Sequence, residues 1–368
     1  MNFRRTILAA SLSVSTGAAV AADKVPTLGD VLKSSGITVN GYVDVSHNNL
    51  STDVGSNTYR VFDTEKRGFN LQMLDLSVGY LPATGFGGFA QLNAGSDARA
   101  IASAGTSSTD DFEVQEAYLQ YASGGLSVIA GKFATLAGAE VIESPNNVNF
   151  SRSILFGFAI PFTHTGVRAS YALNDSVKLI AGINNGWDVM RETQQTAATD
   201  GQRAMSKTVE LGVTANPVKM VSLAGSYYTG KESAGTTTPA DRNVLDLVAT
   251  FNVTDALSFV LNYDKGEQEK VAGTNAKWDG FAGYVNYSLN KQYRLSLRTE
   301  SFNDKQGYRT GTTQKLKETT LTLGYAPAKN VELRAEYRKD KSDQSVFTED
   351  GSSKKSQNSL GLEALYKF

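Results

Sequence analysis

A strict two-residue alternation runs through Val331-Glu332-Leu333-Arg334-Ala335-Glu336-Tyr337-Arg338, where one parity is apolar and the other is all charge. Successive side chains of an extended chain point to opposite faces, so this stretch has one face for an apolar medium and one for water. A second run repeats it: Leu360, Leu362, Ala364, Tyr366 and Phe368 share one face, with Gly361, Glu363, Leu365 and Lys367 between them. A soluble sandwich would show the same pattern. The fold therefore turns on which apolar medium that face meets.

The N-terminus supplies an address. Met1-Asn2-Phe3-Arg4-Arg5 is basic, an apolar and small-residue stretch follows from Ile7, and Ala19-Val20-Ala21-Ala22-Asp23 presents small residues at a cleavage point. This is the pattern of a secretory signal peptide over residues 1–22, too short and too rich in Ser and Ala for a retained membrane helix. Losing Arg4 and Arg5 takes the formal charge from -1 to -3, which leaves no basic excess for nucleic acid. Cysteine is absent although export permits disulfides, so the fold is stabilised without covalent staples. No later stretch approaches the roughly 18 apolar residues of a spanning helix. Exported, rich in Gly and Tyr and poor in Pro, the chain has the composition of an outer-membrane barrel.

Residues 23–35 read as a short amphipathic helical segment, periplasmic or lumenal, and period-2 runs of about ten residues then recur from Ile37 to the end. The connections sort into two kinds. Short turns follow an aromatic strand end: Tyr80, Tyr121, Tyr171, Phe251, Tyr287 and Tyr325 precede six of them, and Asn216-Pro217-Val218 makes a seventh without one. The others are longer and polar: 49–67, 95–111, 134–162, 188–205, 232–241, 268–276, 304–315 and 342–355. That arithmetic predicts an all-β fold over residues 36–368, a transmembrane antiparallel up-and-down barrel of about sixteen strands with short periplasmic turns and long extracellular loops. A propeller or solenoid would not sort its connections so cleanly.

The apolar parity of the strand cores, such as Leu74/Leu76/Val78/Tyr80 or Leu257/Phe259/Leu261/Tyr263, is free of charge. A Lys or Arg on a lipid face costs roughly 2 to 4 kcal/mol at mid-membrane, which explains the exclusion. Aromatics gather at the strand ends as well, with Tyr263, Phe302 and Tyr337 expected in the loop-side girdle. The opposite parity carries Arg294, Arg298, Glu332, Arg334, Glu336 and Arg338 among many other charges and is expected to line the lumen. Unpaired ions buried dry cost several kcal/mol each, so this face predicts a wet interior.

Loop 134–162 is the most singular segment outside the strands, because Ile154, Leu155, Phe156, Phe158 and Ile160 have no reason to sit in a solvated loop. Folded into the lumen it would be a constriction, with Glu140, Glu143, Arg152 and Arg168 as candidate lining residues. Glu140 and Glu143 would face wall arginines such as Arg168 and set a transverse field. The bland alternative is packing on the rim or at a subunit contact. His47 and His164 are the only histidines and no cysteine accompanies them, so no metal centre and no cofactor is expected. His164 near Ser151 or Ser153 lacks the spacing of a catalytic triad, so no enzyme is expected.

The run Gly131-Lys132-Phe133, then Gly138-Ala139-Glu140, Asn149-Phe150-Ser151-Arg152-Ser153 and Pro161-Phe162-Thr163-His164-Thr165-Gly166-Val167-Arg168 resembles the OmpL-like outer-membrane proteins called putative beta-barrel porin-2. The opening Gly36-Ile37-Thr38-Val39-Asn40-Gly41-Tyr42-Val43-Asp44 is similar to that family's first strand. The resemblance implies a Gram-negative outer-membrane porin and carries over no solute-binding residue. Phe368 matches the aromatic terminus by which outer-membrane barrels are recognised, which implies the barrel-assembly machinery as a partner. Outer-membrane lipid and lipopolysaccharide are expected around the barrel, and barrels of this size commonly form a homotrimer. The expected activity is passive diffusion of small hydrophilic solutes and ions through a water-filled barrel narrowed by loop 134–162. A solute-selective channel is the alternative within transport. A structural or adhesive barrel and an outer-membrane lipid hydrolase are the alternatives outside it.

Overall fold

The alternation becomes strand almost throughout. In a computed structural model, which describes residues 26–104, 111–191, 207–232, 239–271 and 273–368, sixteen antiparallel strands close into one barrel. The first eight are β1 (Thr38–Leu50), β2 (Arg67–Tyr80), β3 (Gly85–Ala94), β4 (Phe112–Ser123), β5 (Leu126–Ala134), β6 (Thr163–Ala172), β7 (Val177–Asn184) and β8 (Thr208–Val218). They are followed by β9 (Val221–Glu232), β10 (Ala240–Asn252), β11 (Leu257–Val271), β12 (Thr274–Ser288), β13 (Tyr293–Asp304), β14 (Gln314–Ala328) and β15 (Val331–Ser342). A small separate hairpin, β16 (Phe347–Glu349) and β17 (Ser352–Lys354), precedes the last barrel strand, β18 (Ser356–Lys367). Neighbours in sequence are neighbours in the sheet, and β1 closes on β18 in the register Val45 to Ala364 and His47 to Leu362. Closure leaves no unpaired sheet edge, the condition for crossing lipid with strands.

Seven connections, at one end, are two to four residues long; those at the other end include 135–162. The two-sided sorting holds with one correction. Residues 268–276 are not a long loop, since β11 runs to Val271 and β12 starts at Thr274, with Gly273 at φ 85° in the tight turn between them. Glu267 and Lys277, which flank the expected loop, pair at 3.3 Å on this two-stranded extension. At the other end Pro217 lies inside β8, where the pairing with β9 breaks register between Ala215 and Val218.

Lipid and lumen faces separate as the parity requires. Along β2, Leu74, Leu76, Val78 and Tyr80 are 40 to 46% exposed, whereas Asp75 and Ser77 between them are 3% and 9% exposed. Turn-side aromatics pair on the outside, Tyr293 stacking on Tyr325 at 4.6 Å and Phe86 meeting Tyr121 at 5.0 Å. Phe302 departs from expectation. It shares the parity of Arg298 and Glu300, points inward, is fully buried and packs near Phe158.

Residues 1–22, expected as the signal peptide, lie outside the described residues. The helix expected near the N-terminus is α1 (Leu28–Ser35). Thr27 caps it by accepting from the Asp30 N–H while the Asp30 carboxylate accepts from the Thr27 N–H, a reciprocal capping box.

Candidate functional site

The interior is not the open wet tube that the charged parity suggested. Arg298 and Arg338 have no exposed surface, and Arg334, Glu336, Glu318 and Glu363 have almost none. The covering comes from loop 135–162, which folds into the barrel and lies along its charged wall. Backbone groups of the loop meet that wall one by one, and this is how ions are buried without being left unpaired.

Glu336 on β15 accepts from the backbone N–H groups of Phe150 at 2.8 Å and Ser151 at 3.0 Å. Glu300 on β13 accepts from Ile154 at 2.7 Å and Leu155 at 3.0 Å. Those two N–H groups begin the short helix α2 (Ile154–Phe158), capped by the Ser153 hydroxyl, and are the donors a helix N-terminus leaves without internal partners. A carboxylate there also meets the positive end of the local dipoles. The arginines serve the carbonyls. Arg334 donates to Ser144 and Asn147 at 3.1 and 2.8 Å, Arg338 donates to Arg152 at 2.6 Å, and Arg294 donates to Val148. Trp278 on β12 anchors the far end, its indole N–H donating to Ala159 at 3.0 Å.

The four constriction candidates separate into two kinds. Glu140 is buried and pairs with Arg298 at 2.7 Å, while its other oxygen accepts from the Ser153 N–H. The expected facing of Glu140 and Arg168 is therefore not what the structure has, because Arg298 reaches Glu140 from the wall the loop lies on. Arg152 is buried as well, its guanidinium donating to the carbonyls of Val141, Phe150 and Ile142 and stacking 5.1 Å from the Phe62 ring centre. It ties the loop to itself. Glu143 and Arg168 remain partly exposed. Glu143 crosses to the other wall, where the side-chain amides of Gln91 on β3 and Gln115 on β4 donate to it. Arg168 on β6 makes two hydrogen bonds to Glu210 on β8 and lies 4.2 Å from the Phe133 ring centre. Gly182 on β7 stands between the two in register, and a Cβ there would come within 2.6 Å of Glu210, so only glycine leaves room for the pair.

The wall charges named from sequence all belong to the buried side. Arg294 pairs with Glu332, Arg298 with Glu140 and Glu318, Arg334 with Glu363 and Glu332, and Arg338 with Asp340. Of these, Arg294 and Glu332 keep some contact with solvent.

Sequence reasoning missed a second inward loop. In 51–66, Arg60 bonds Asp63, Asp340 and Ser359, and Phe62 packs 5.7 Å from Phe156 and 5.6 Å from Phe162. The signal was present, since Tyr59, Val61 and Phe62 are as out of place in a polar loop as Ile154 to Phe158. Gln91 and Gln115 were also missed, having no charge to draw attention. His164 is buried with its ring stacked on Tyr228 at 4.9 Å and Nδ1 against the Gly186 carbonyl. Neither Ser151 nor Ser153 is among its partners. Among the described residues no group of three or more His, Cys, Asp or Glu is arranged to hold a metal ion.

A closed sixteen-stranded barrel with an apolar outside and a loop folded through a charged inside defines the porin class. The chain belongs to the family described as putative beta-barrel porin-2, OmpL-like, whose model matches residues 36–368. No curated protein matches. Among solved structures, the outer-membrane channel DcaP of Acinetobacter baumannii is 15% identical, with 90% of this chain and 97% of that one covered and a TM-score of 0.62. The anion-selective porin from Comamonas acidovorans is 12% identical, with 90% and 99% covered and a TM-score of 0.65. OmpT of Vibrio cholerae in its trimer form is 14% identical, with 90% and 99% covered and a TM-score of 0.60. These likenesses bear on the fold. The family places the chain as a porin of the Gram-negative outer membrane.

Proposed function

We propose that small hydrophilic solutes and ions diffuse passively through a gap left between loop 135–162 and the wall formed by β3 to β8. The reading is carried by one observation: the loop lies on β9 to β15 and reaches the opposite wall through Glu143, so the remaining passage is edged by partly exposed Glu143, Glu116 and Arg168. In this reading Glu143 and Arg168 touch the passing solute, and Glu140 and Arg152 hold the loop that presents Glu143. Arg294, Arg298, Glu332, Arg334, Glu336 and Arg338 form the rest of that support. Purified protein in a planar bilayer should give discrete conductance steps. A complete absence of steps across voltages and salts would sink the proposal.

Loop 51–66, packed on loop 135–162 through Phe62, favours a solute-selective channel as the second reading, because two inward loops narrow a lumen more than one. Swelling of proteoliposomes in a size series of sugars separates the two by the sharpness of the cutoff. Export with cleavage after Ala21 or Ala22, residues 23–35 as a short periplasmic or lumenal segment, and Phe368 as the signal to the assembly machinery complete the picture. A homotrimer within lipid and lipopolysaccharide is the proposed assembly, supported by the trimeric form of OmpT. Native mass spectrometry would give its stoichiometry.

A further inference from the structure

The charges around the proposed gap are paired unequally. Arg168, Arg294, Arg298, Arg334 and Arg338 each have a carboxylate partner, whereas Arg152, Arg242 and Arg309 donate to neutral carbonyl, amide or hydroxyl groups. Lys132, beside the gap on β5, has Glu113. Among the described residues, three carboxylates on the open side have no such cation. Glu143 accepts from the amides of Gln91 and Gln115, Asp75 from the same Gln91 amide at 2.6 Å, and Glu116 from the Ala134 N–H at 2.9 Å. Neutral donors satisfy the lone pairs without supplying a compensating positive charge.

Their positions concentrate that charge. Asp75, Glu116 and Glu143 lie within electrostatic reach of one another, and Glu116 also of Arg168. Arg168 is already matched by Glu210 through two hydrogen bonds. The groups edging the gap are thus Glu143 and Glu116 at the surface with Asp75 behind them, against one neutralised arginine. A narrow passage with low-dielectric walls focuses such a field, and carboxylate-edged pores favour cations. Of the lysines without a carboxylate among the described residues, Lys178 is one residue from the turn-side end of β7 and Lys367 is the last residue of β18, where bulk electrolyte screens them.

We infer that this porin prefers small cations over anions, and that Glu116 and Glu143 are the residues that set the preference. The inference rests on the diffusion reading above. It also parts from the Comamonas porin, whose likeness at 12% identity extends to the fold and not to the groups at the gap.

The test is the zero-current potential of the full-length protein in a planar bilayer under a tenfold KCl gradient. The expected result is a potential of the sign set by potassium, with a permeability ratio of several to one that grows as salt is lowered. Glu116→Gln and Glu143→Gln should each reduce the ratio, and the double variant should bring it near one. Arg168→Gln, which removes the arginine's positive charge at the edge of the gap, should raise it. A chloride-dominated potential in the unmodified protein, or an unchanged ratio in a conducting double variant, would overturn the inference. Absence of conductance in the unmodified protein would instead remove the diffusion reading beneath it.

Discussion

The two walls of the lumen carry the same sequence signature and do different things. On β13 to β15 most inward charges are dry, met by an opposite charge or by a backbone group of an inward loop, and Arg294 and Glu332 alone among those named above keep some solvent contact. On β3 to β6 the inward charges are fewer and partly wet, and Glu116 and Glu143 have only neutral donors. A charge on the inward parity is therefore not by itself a pore-lining charge. What separates support from passage is whether the loop lies over it. The two walls should consequently respond to substitution in opposite ways, in stability on one and in permeation on the other.

The largest effect belongs to Arg298, which joins wall and loop through Glu318 and Glu140. Arg298→Ala leaves two buried carboxylates without their cation, a loss of about 3 to 5 kcal/mol. Denaturant unfolding should show that loss, and the loosened loop should give a larger and noisier single-channel conductance. A variant with unchanged stability and conductance would erase the distinction between the walls.

Asp97, on the short helix Ser96–Ala100 that packs against β2, β3 and β4, gives a test by pH. Burial pushes its carboxyl up to about 8, partly offset by Arg152. In the unfolded chain the group titrates near the ordinary carboxyl value of 3.8, so the folded state holds a proton that the unfolded state lacks between the two values. Its contribution is fully present below about pH 4 and is lost as pH rises through 8, at roughly 1 kcal/mol for each pH unit crossed. Proteolysis of the outer loops should accelerate over that window, and Asp97→Asn should flatten the dependence.

How far the sequence reached follows from the same contrast. Period-2 alternation reports which way a side chain points, so the barrel, its strand number and its lipid face were legible from runs such as Val331 to Arg338. It does not report what lies against the inward face. The apolar run from Ile154 to Ile160 announced that its loop packs on protein, but the partners are set by tertiary distance: Glu140 meets Arg298, 158 positions away, and not Arg168. Phe302 was misplaced because an aromatic near a strand end was taken as a girdle residue when its parity with Arg298 already said inward. Gln91 and Gln115 were invisible, since an amide that donates to a carboxylate looks like any polar residue until the fold brings them together.

Glu300→Gln should cost less than Arg298→Ala, about 1 to 3 kcal/mol, because an amide keeps one acceptor and offers a second donor where α2 already supplies two. Hydrogen exchange should locate the loss at Ile154 to Phe158. The barrel strands should keep their protection.

The smallest effect on stability is expected on the open wall. Glu116→Gln retains an acceptor for the Ala134 N–H and removes a charge that has no cation partner, so its unfolding free energy should stay within about 0.5 kcal/mol of the unmodified protein. The same substitution removes part of the field at the gap, so the zero-current potential should move while the unfolding curve does not. Glu318→Gln makes the reciprocal case. Its charge is buried against Arg298, and neutralising it should shift unfolding while leaving ion preference nearly unchanged. If Glu116→Gln destabilised the protein as much as Glu318→Gln did, the carboxylates of the open wall would be structural too, and the charge preference would have to be sought elsewhere along the lumen.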